Sequence, residues 1–145
     1  LTGPFAVGDM DGDGNLDLAG VQVGSPSTID FFLWNEGEGK FDLPAVQSLT
    51  TIVQPDPDLG IHLIDMTGNG QLDLVVVKEA RIVMHRRLES GAGQLFASQT
   101  TPLVATAQII DGQSAIFMDS QGDRHPDLLV LQSQQDGVLK VFTAE

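Results

Sequence analysis

The chain has 145 residues, and a composition of 41% hydrophobic and 19% charged residues with 16 glycines is typical of a globular β protein with many turns. Seven basic against 20 acidic residues give a formal net charge of −13, which argues against nucleic acid as a partner and favours a cationic one. The chain has no cysteine, which excludes disulfides, thiolate catalysis and cysteine-bound zinc, and no apolar run is long enough to span a membrane.

The first predicted element is a short strand that begins near residue 5 and leads into an acidic loop. Oxygen-bearing side chains stand at positions 1, 3, 5 and 9 of this loop, and the residue at position 7 offers its backbone carbonyl. These residues are Asp9, Asp11, Asp13, Asp17 and, at position 7, Asn15. Alternate residues of a tight turn point their oxygens inward, and Ca²⁺ takes roughly six to eight oxygen ligands, whereas transition metals prefer histidine or cysteine. The loop therefore predicts a calcium site.

An apolar strand over Leu16–Val23 follows the loop, and a second apolar run, Ile29–Trp34, comes before a glycine-rich turn. Two further units repeat this order, beginning near residues 61 and 115. The leading aspartates of the three loops are 56 and then 54 residues apart, and they are Asp9, Asp65 and Asp119. Units of about 55 residues with four short strands each have the size of a β-propeller blade. The sequence therefore predicts an all-β chain of about 2.6 four-stranded blades.

The strand after the second loop is apolar at consecutive positions, in the run Leu74–Val77. Such a run is typical of a strand that is covered on both faces rather than on one. A sheet packed between two neighbouring sheets supplies that environment. We therefore expect the three units to stack on one another.

The second and third loops keep the spacing of the first but change some of its residues. The second loop offers Asp65, Thr67, Asn69, Gln71 and Asp73, and the third offers Asp119, Gln121, Asp123, His125 and Asp127. Fewer carboxylates should weaken a calcium site, since ligand charge tunes affinity. Arg124 also replaces the glycine at position 6 of the third loop, where a strained backbone is expected. We expect the first loop to bind most tightly, and the order of the other two stays open.

Acidic loops of this kind also occur without a propeller, as plain turns and in EF-hands. A turn rich in aspartate, asparagine and glycine can join two strands for backbone reasons alone. Three copies at one period, with aspartate at positions 1 and 9 each time, argue against it. An EF-hand also begins with alternating acids, but it needs a glutamate at position 12 and flanking helices. Position 12 is Gly20, Val76 and Val130 here and strands follow, so the EF-hand is rejected.

The acidic loops with their following strands, and the glycine-rich turns that end at Phe41 and Phe96, resemble the repeats called FG-GAP and VCBS. The resemblance covers nearly all of residues 1–145 as two complete units and most of a third. It implies blades like those of integrin α-chain propellers, bacterial surface proteins and some fungal lectins. In such repeats the loop binds Ca²⁺ through positions 1, 3, 5 and 9 and the position 7 carbonyl, which implies up to three ions here.

Propellers have about four to eight blades around a channel, so this chain cannot close a ring alone. We expect a fragment of a longer propeller. Several chains that complete one ring together, and a short open array, are the alternatives.

These features predict a non-enzymatic, calcium-stabilised propeller segment of an extracellular or cell-surface protein that serves adhesion or protein recognition. Millimolar calcium outside cells would saturate even weak sites, whereas cytosolic calcium would not. The partner is expected to be a protein or a glycan. The alternative functions are a carbohydrate-binding propeller, in which Trp34 stacks on a sugar, and an accessory module of a secreted enzyme. The basic run Met84–Arg87, with Arg86 and Arg87 beside His85, is expected at a solvated strand end, and a contact with an anion or an acidic partner is the alternative.

Overall fold

A computed structural model of the chain describes residues 3–22, 28–51, 60–78, 81–89, 93–104, 115–119, 121–122, 125–131 and 139–142. These residues form strands and turns and contain no helix, and so none that could cross a membrane. The all-β prediction is confirmed. The strands within these ranges are β1 Phe5–Gly8, β2 Asp17–Val21, β3 Thr28–Phe32, β4 Trp34–Asn35, β5 Lys40–Phe41, β6 Gln47–Thr50, β7 Gly60–Ile64, β8 Asp73–Lys78, β9 Arg81–His85, β10 Thr101–Val104, β11 Ala115–Met118, β12 Asp127–Leu131 and β13 Leu139–Phe142.

The strands form three antiparallel sheets that follow one another along the chain. The first sheet has the order β1-β2-β3-β6, and the small hairpin β4–β5 lies between its third and fourth strands. The second sheet has the order β7-β8-β9-β10, and the third sheet has the described strands β11-β12-β13. With the small hairpin β4–β5 set aside, strands that follow one another in the sequence pair within each sheet, as in the blades of a propeller. The described sheets are blade-like but do not close a ring.

The same register recurs in all three sheets at the point where the acidic loop begins and ends. Gly8 pairs with Asp17 in the first sheet, and Ile64 pairs with Asp73 in the second. Met118 pairs with Asp127 in the third. The aspartate at loop position 9 is therefore always the first residue of its strand, and every acidic loop crosses the same end of its sheet.

The second sheet is covered on both faces, as the apolar run in β8 predicted. Leu74 and Val76 pack into one core with residues of the first sheet, including Ile29. Val75 and Val77 point the other way and pack with Ile82 and Met84, beside Phe117 of the third sheet. The four apolar side chains of residues 74–77 are fully buried, and the burial of each contributes about 1.5–3 kcal/mol relative to exposure.

The first strands of the three sheets surround a common space. Residues of β1, β7 and β11 line a cavity of about 430 Å³, with Phe5, His62 and Phe117 among its walls. The rings of His62 and Phe117 meet edge to face with centroids 5.0 Å apart. The first strand of each sheet therefore borders the same cavity.

The second repeat is fastened to the first sheet by contacts between residues that lie far apart in sequence. We call residues 86–89 and 93–97 the second hairpin, which is joined by a bridge between Arg87 and Phe96. The Phe96 ring is fully buried, with its centroid 4.9 Å from that of Phe31. The side chain of Gln47 in β6 accepts hydrogen bonds from the N–H groups of Leu95 (2.7 Å) and Phe96 (2.9 Å) and donates to the Phe96 carbonyl (2.8 Å).

Candidate metal centre

Three carboxylates converge in the first acidic loop, which joins β1 to β2. One oxygen from each of Asp9, Asp11 and Asp17 lies within 4.8 Å of the others. Two oxygens on opposite sides of a Ca²⁺ ion, each about 2.4 Å from it, are separated by about 4.8 Å. The group therefore has the size and the hard oxygen ligands of a calcium site. Asp11 is exposed, Asp9 is half-buried and Asp17 is fully buried, so the site opens to solvent on one side.

Backbone hydrogen bonds hold Asp9 in this position. Its Oδ1 accepts the N–H of Gly12 (2.7 Å) and its Oδ2 accepts the N–H of Gly14 (3.0 Å). Both glycines have positive φ, at 85° and 92°, a conformation that non-glycine residues adopt only at a cost. The glycines at positions 4 and 6 therefore let the loop fold back over its first aspartate.

Asp17 ties the loop to the rest of the first sheet. Its Oδ2 accepts the N–H of Met10 (2.7 Å), and its Oδ1 accepts the N–H of Trp34 at the start of β4 (2.8 Å). Burial raises the pKa of Asp17, and the nearby charges of Asp11 and Asp13 raise it further, while the two N–H donors lower it. A bound cation would favour the charged form of this carboxylate, because it offsets the desolvation cost.

Asp13 lies outside the convergent group. Its carboxylate accepts two hydrogen bonds from Asn15, one from the backbone N–H (2.7 Å) and one from the side-chain Nδ2 (3.0 Å). These bonds lower the pKa of Asp13. The structure therefore brings together three of the four acids expected at this site and turns the fourth toward position 7.

The first aspartate of the second loop also accepts two backbone N–H groups of its own loop. Oδ1 of Asp65 accepts the N–H of Asn69 (3.1 Å) and its Oδ2 accepts the N–H of Gly70 (2.7 Å). The side chain of Asn69 accepts the N–H of Gln71 (2.9 Å), as Asp13 does with Asn15 in the first loop. Position 5 thus supports the turn in both loops.

Two buried oxygens of the second loop lack a hydrogen-bond donor. Oδ1 of Asp73 accepts the N–H of Arg87 (2.8 Å), but its Oδ2 is buried without a hydrogen-bond partner, and so is Oγ1 of Thr67. An unpaired buried oxygen costs about 1–3 kcal/mol, and more when it is charged. A cation bound by either oxygen would compensate for the hydrogen bond that this oxygen lacks.

The third loop differs at position 3. Oδ1 of Asp119 accepts the N–H of Gly122, as at position 1 of the first two loops, while Nε2 of Gln121 donates to Oδ1 of the buried Asp127 at 3.4 Å. An amide donor therefore stands where the first loop has a carboxylate. The predictions of Asp123 as a ligand and of strain at Arg124 concern positions that lie outside the described residues.

The second and third loops touch. Nε2 of His125 lies 3.3 Å from the point where a Cβ at Gly68 would stand. Because Gly68 has a φ of +68° and no side chain, the imidazole can lie close to the loop backbone. His125 thus contacts the neighbouring loop through its ring.

Comparison with protein families matches residues 9–76 to the FG-GAP-like repeat. The matched span is 68 of the 145 residues, which is less than half of the chain. The resemblance found in the sequence is confirmed over this span, which contains most of the first sheet, the first two acidic loops and most of β8. Comparison with curated proteins and with solved structures gave no match.

Some contacts of the FG-GAP-like region could not be read from its sequence. The backbone N–H groups of Trp34 and Arg87 donate to the aspartates at loop position 9. The one sequence signal for these contacts was indirect: an aspartate at the start of an apolar strand needs hydrogen-bond donors if it is buried. The contacts of Gln47 had no signal in the sequence, because a single glutamine on a strand is common. The basic run also differs from expectation: Arg86 is exposed, Arg87 is half-buried and His85 is fully buried.

Proposed function

We propose that the chain is a calcium-binding β-propeller segment, in which the ion pins the loop between the first two strands of each blade. The observation that carries this proposal is the convergence of Asp9, Asp11 and Asp17 within 4.8 Å. Three carboxylates this close repel one another without a counter-ion. The FG-GAP-like match over residues 9–76 supports the same conclusion, since the resemblance implies calcium in these loops.

The three loops should differ in affinity. The first has three convergent carboxylates, the second has unsatisfied oxygens at Thr67 and Asp73, and in the third Gln121 already donates to Asp127. Because charge and free oxygen ligands set calcium affinity, we place the first loop ahead of the second and the second ahead of the third.

The chain's own residues explain how an ion would stabilise the blade. Calcium, when bound, supplies positive charge and direct bonds to the loop oxygens. Asp17 also accepts N–H groups from the loop and from β4, so anything that fixes its carboxylate fixes the loop against the hairpin. A ligand that binds the folded form alone adds stability by mass action, about 2.7 kcal/mol at roughly 100 times its Kd.

We further propose that this segment belongs to an extracellular or cell-surface protein and acts in adhesion or protein recognition, without enzymatic activity. Sites open to solvent on one side, such as that at Asp11, suit the millimolar calcium outside cells. The ligand would be a protein or a glycan, and further blades would come from the same chain or from other subunits. The FG-GAP-like match supports this placement.

The test is thermal unfolding in calcium and in a chelator, together with calorimetric titration of calcium. Wild type should gain about 5–10 °C in midpoint at saturating calcium. Asp11→Asn keeps the shape of the side chain but removes one ligand charge, and it should weaken binding about tenfold or more. Asp13→Asn is the matched control, because it removes an equal charge from a carboxylate outside the group.

Equal loss of affinity in the two variants would mean that the loop responds only to net charge, and the assigned ligand set would be wrong. A midpoint that does not respond to calcium in wild type would refute calcium binding itself.

A further inference from the structure

The two sides of the first sheet differ in what covers them. Ile29 and Phe31 of β3 point to one side and form a common core with the second sheet. Asp30 lies between them in the strand and therefore points to the opposite side, which we call the outer face. Phe5 and Val7 of β1 belong to this outer face, because cross-strand partners point to the same side of a sheet. Their side chains are 65% and 50% exposed, so much of the outer face is open to solvent.

A row of cross-strand partners crosses the outer face and has a polar centre. The row consists of Phe5, Gly20, Asp30 and Ser48. Oγ of Ser48 donates to Oδ1 of Asp30 at 2.6 Å, and Asp30 is only 8% exposed. Gly20 stands between Phe5 and Asp30 and adds no apolar side chain. The middle of the outer face is therefore a nearly buried carboxylate.

The second sheet has a row at the same place, and that row is apolar. Its members are Ile61, Val76, Val83 and Pro102. The aspartates at loop position 9 align the two rows, because Gly20 and Val76 are each the fourth residue of the strand that begins there. Ile61, Val76 and Val83 are at most 5% exposed and pack into the core shared with the first sheet. The outer face is thus the kind of surface that the second sheet buries, with a glycine and an aspartate in place of two valines.

The third sheet leaves the complementary surface open. Phe117 of β11 packs beside the second sheet, so Ile116 and Met118 point away from it. These two side chains are 56% and 47% exposed. In the first sheet Ala6 stands at the place of Ile116, and it packs against the core that joins the first two sheets. Complementary surfaces at the two ends of one molecule favour a head-to-tail contact between copies, which continues from copy to copy unless the rotation closes a ring.

Asp30 makes this contact unfavourable. An ionised carboxylate can accept about four hydrogen bonds, and Ser48 donates one. Under the apolar end of another copy, the carboxylate would lose its remaining contact with water, and the side chains of Ile116 and Met118 offer no donor in exchange. A valine at this place would instead bury one more apolar side chain, as Val83 does in the second sheet.

We propose that Asp30 closes the outer face of the first sheet to a second copy of the chain and so prevents head-to-tail assembly. The face keeps the register and the flanking apolar residues of a sheet-packing surface. Once the charge is removed, the third sheet of another copy is the surface that covers it. This inference rests on how the sheets pack and goes beyond the calcium sites.

The test measures molar mass by sedimentation equilibrium in wild type, Asp30→Val, Asp30→Asn and Glu36→Val. Wild type should stay within about 10% of its monomer mass of 15.5 kDa at ~100 µM protein, whereas Asp30→Val should reach at least about twice that mass. Asp30→Asn keeps the shape of the side chain without its charge and should assemble about tenfold more weakly than Asp30→Val. Glu36→Val is the matched control and should stay monomeric, because it exchanges an exposed carboxylate in the turn between β4 and β5 for the same apolar group.

Second changes in the Asp30→Val background identify the two surfaces in contact. Val7→Asp on the outer face and Ile116→Asp on the third sheet should each restore the monomer mass, because each places a charge in the contact. Leu43→Asp is the control for added charge, since Leu43 is 80% exposed and belongs to neither β1 nor β11, and it should leave the assembly intact. Circular dichroism checks that every variant is folded, and Asp30→Asn carries the test should Asp30→Val fail to fold.

Monomeric Asp30→Val and Asp30→Asn, both folded, would overturn the inference, and so would wild type that assembles as strongly as they do. Restoration by Val7→Asp but not by Ile116→Asp would mean that two outer faces bind each other, and the third sheet would be the wrong partner. Assembly that persists in both double variants would place the contact elsewhere. The calcium response of wild type can hold or fail independently of each of these results.

Discussion

Replacing Gln47 with alanine removes the side chain that fastens the second repeat to the first sheet. Its carboxamide makes three hydrogen bonds of 2.7–2.9 Å with the backbone of Leu95 and Phe96. Each such bond contributes about 1 kcal/mol net, and a backbone group left buried without a partner costs more. Since Gln47 is half-buried, water can reach part of the site, and we expect a total loss of about 2–4 kcal/mol.

Urea unfolding, followed by the fluorescence of the single tryptophan Trp34, measures this loss. Thr50→Ala is the matched control, because Thr50 is exposed and lies on the same strand as Gln47. Its cost should stay within about 0.5 kcal/mol. If Gln47→Ala and Thr50→Ala unfold at the same urea concentration, the contact does not hold the repeats together and the reasoning fails.

Three further predictions concern the core, the loop and pH. Phe96→Ala should cost about 3–5 kcal/mol in the free energy of unfolding, because the ring is fully buried; a loss below about 1 kcal/mol would contradict its place in the core. Gly12→Ala should lower the free energy of unfolding by about 1–2 kcal/mol through backbone strain alone, because φ is +85° and no atom beyond the adjacent residues lies within 4 Å of the new Cβ. Gly37 has no positive φ, so Gly37→Ala should leave the thermal midpoint nearly unchanged. Burial lowers the pKa of His85 below its ordinary 6.5, so the unfolded chain binds the proton first and stability is lost as pH falls below about 6.5. Urea unfolding at several pH values should show a flatter dependence in His85→Gln than in wild type or in the exposed-residue control His125→Gln.

The architecture could be predicted because its signals are local and repeated. The apolar run Leu74–Val77 indicated a strand covered on both faces, and the structure buries alternate residues against the first and third sheets. The glycines of the loops indicated turns, and positive φ occurs at position 4 of every loop and at position 6 of the first two. The apolar run and the loop glycines are both short, continuous patterns, so they can be interpreted without knowing which distant residues they contact.

The side-chain contacts of the site were harder to predict, because they depend on groups distant in sequence. Spacing alone assigned Asp13 to the ion, and it gave no sign that the Asp13 carboxylate accepts two hydrogen bonds from Asn15. Gln47 contacts residues 48 and 49 positions further along the chain. Arg87 is half-buried because its hairpin packs on another sheet. The sequence of the run His85–Arg87 has no pattern that indicates this packing.

The two-sided burial of β8 has a consequence for how the protein comes apart. In a linear array of sheets, stability depends on the interfaces between neighbouring sheets, and the strength of these interfaces decides whether one sheet can unfold without the others. Here Val75 and Leu74, adjacent in one strand, belong to opposite interfaces. Destabilising this strand therefore weakens both interfaces, and we expect the sheets to unfold together in one cooperative transition rather than one after another.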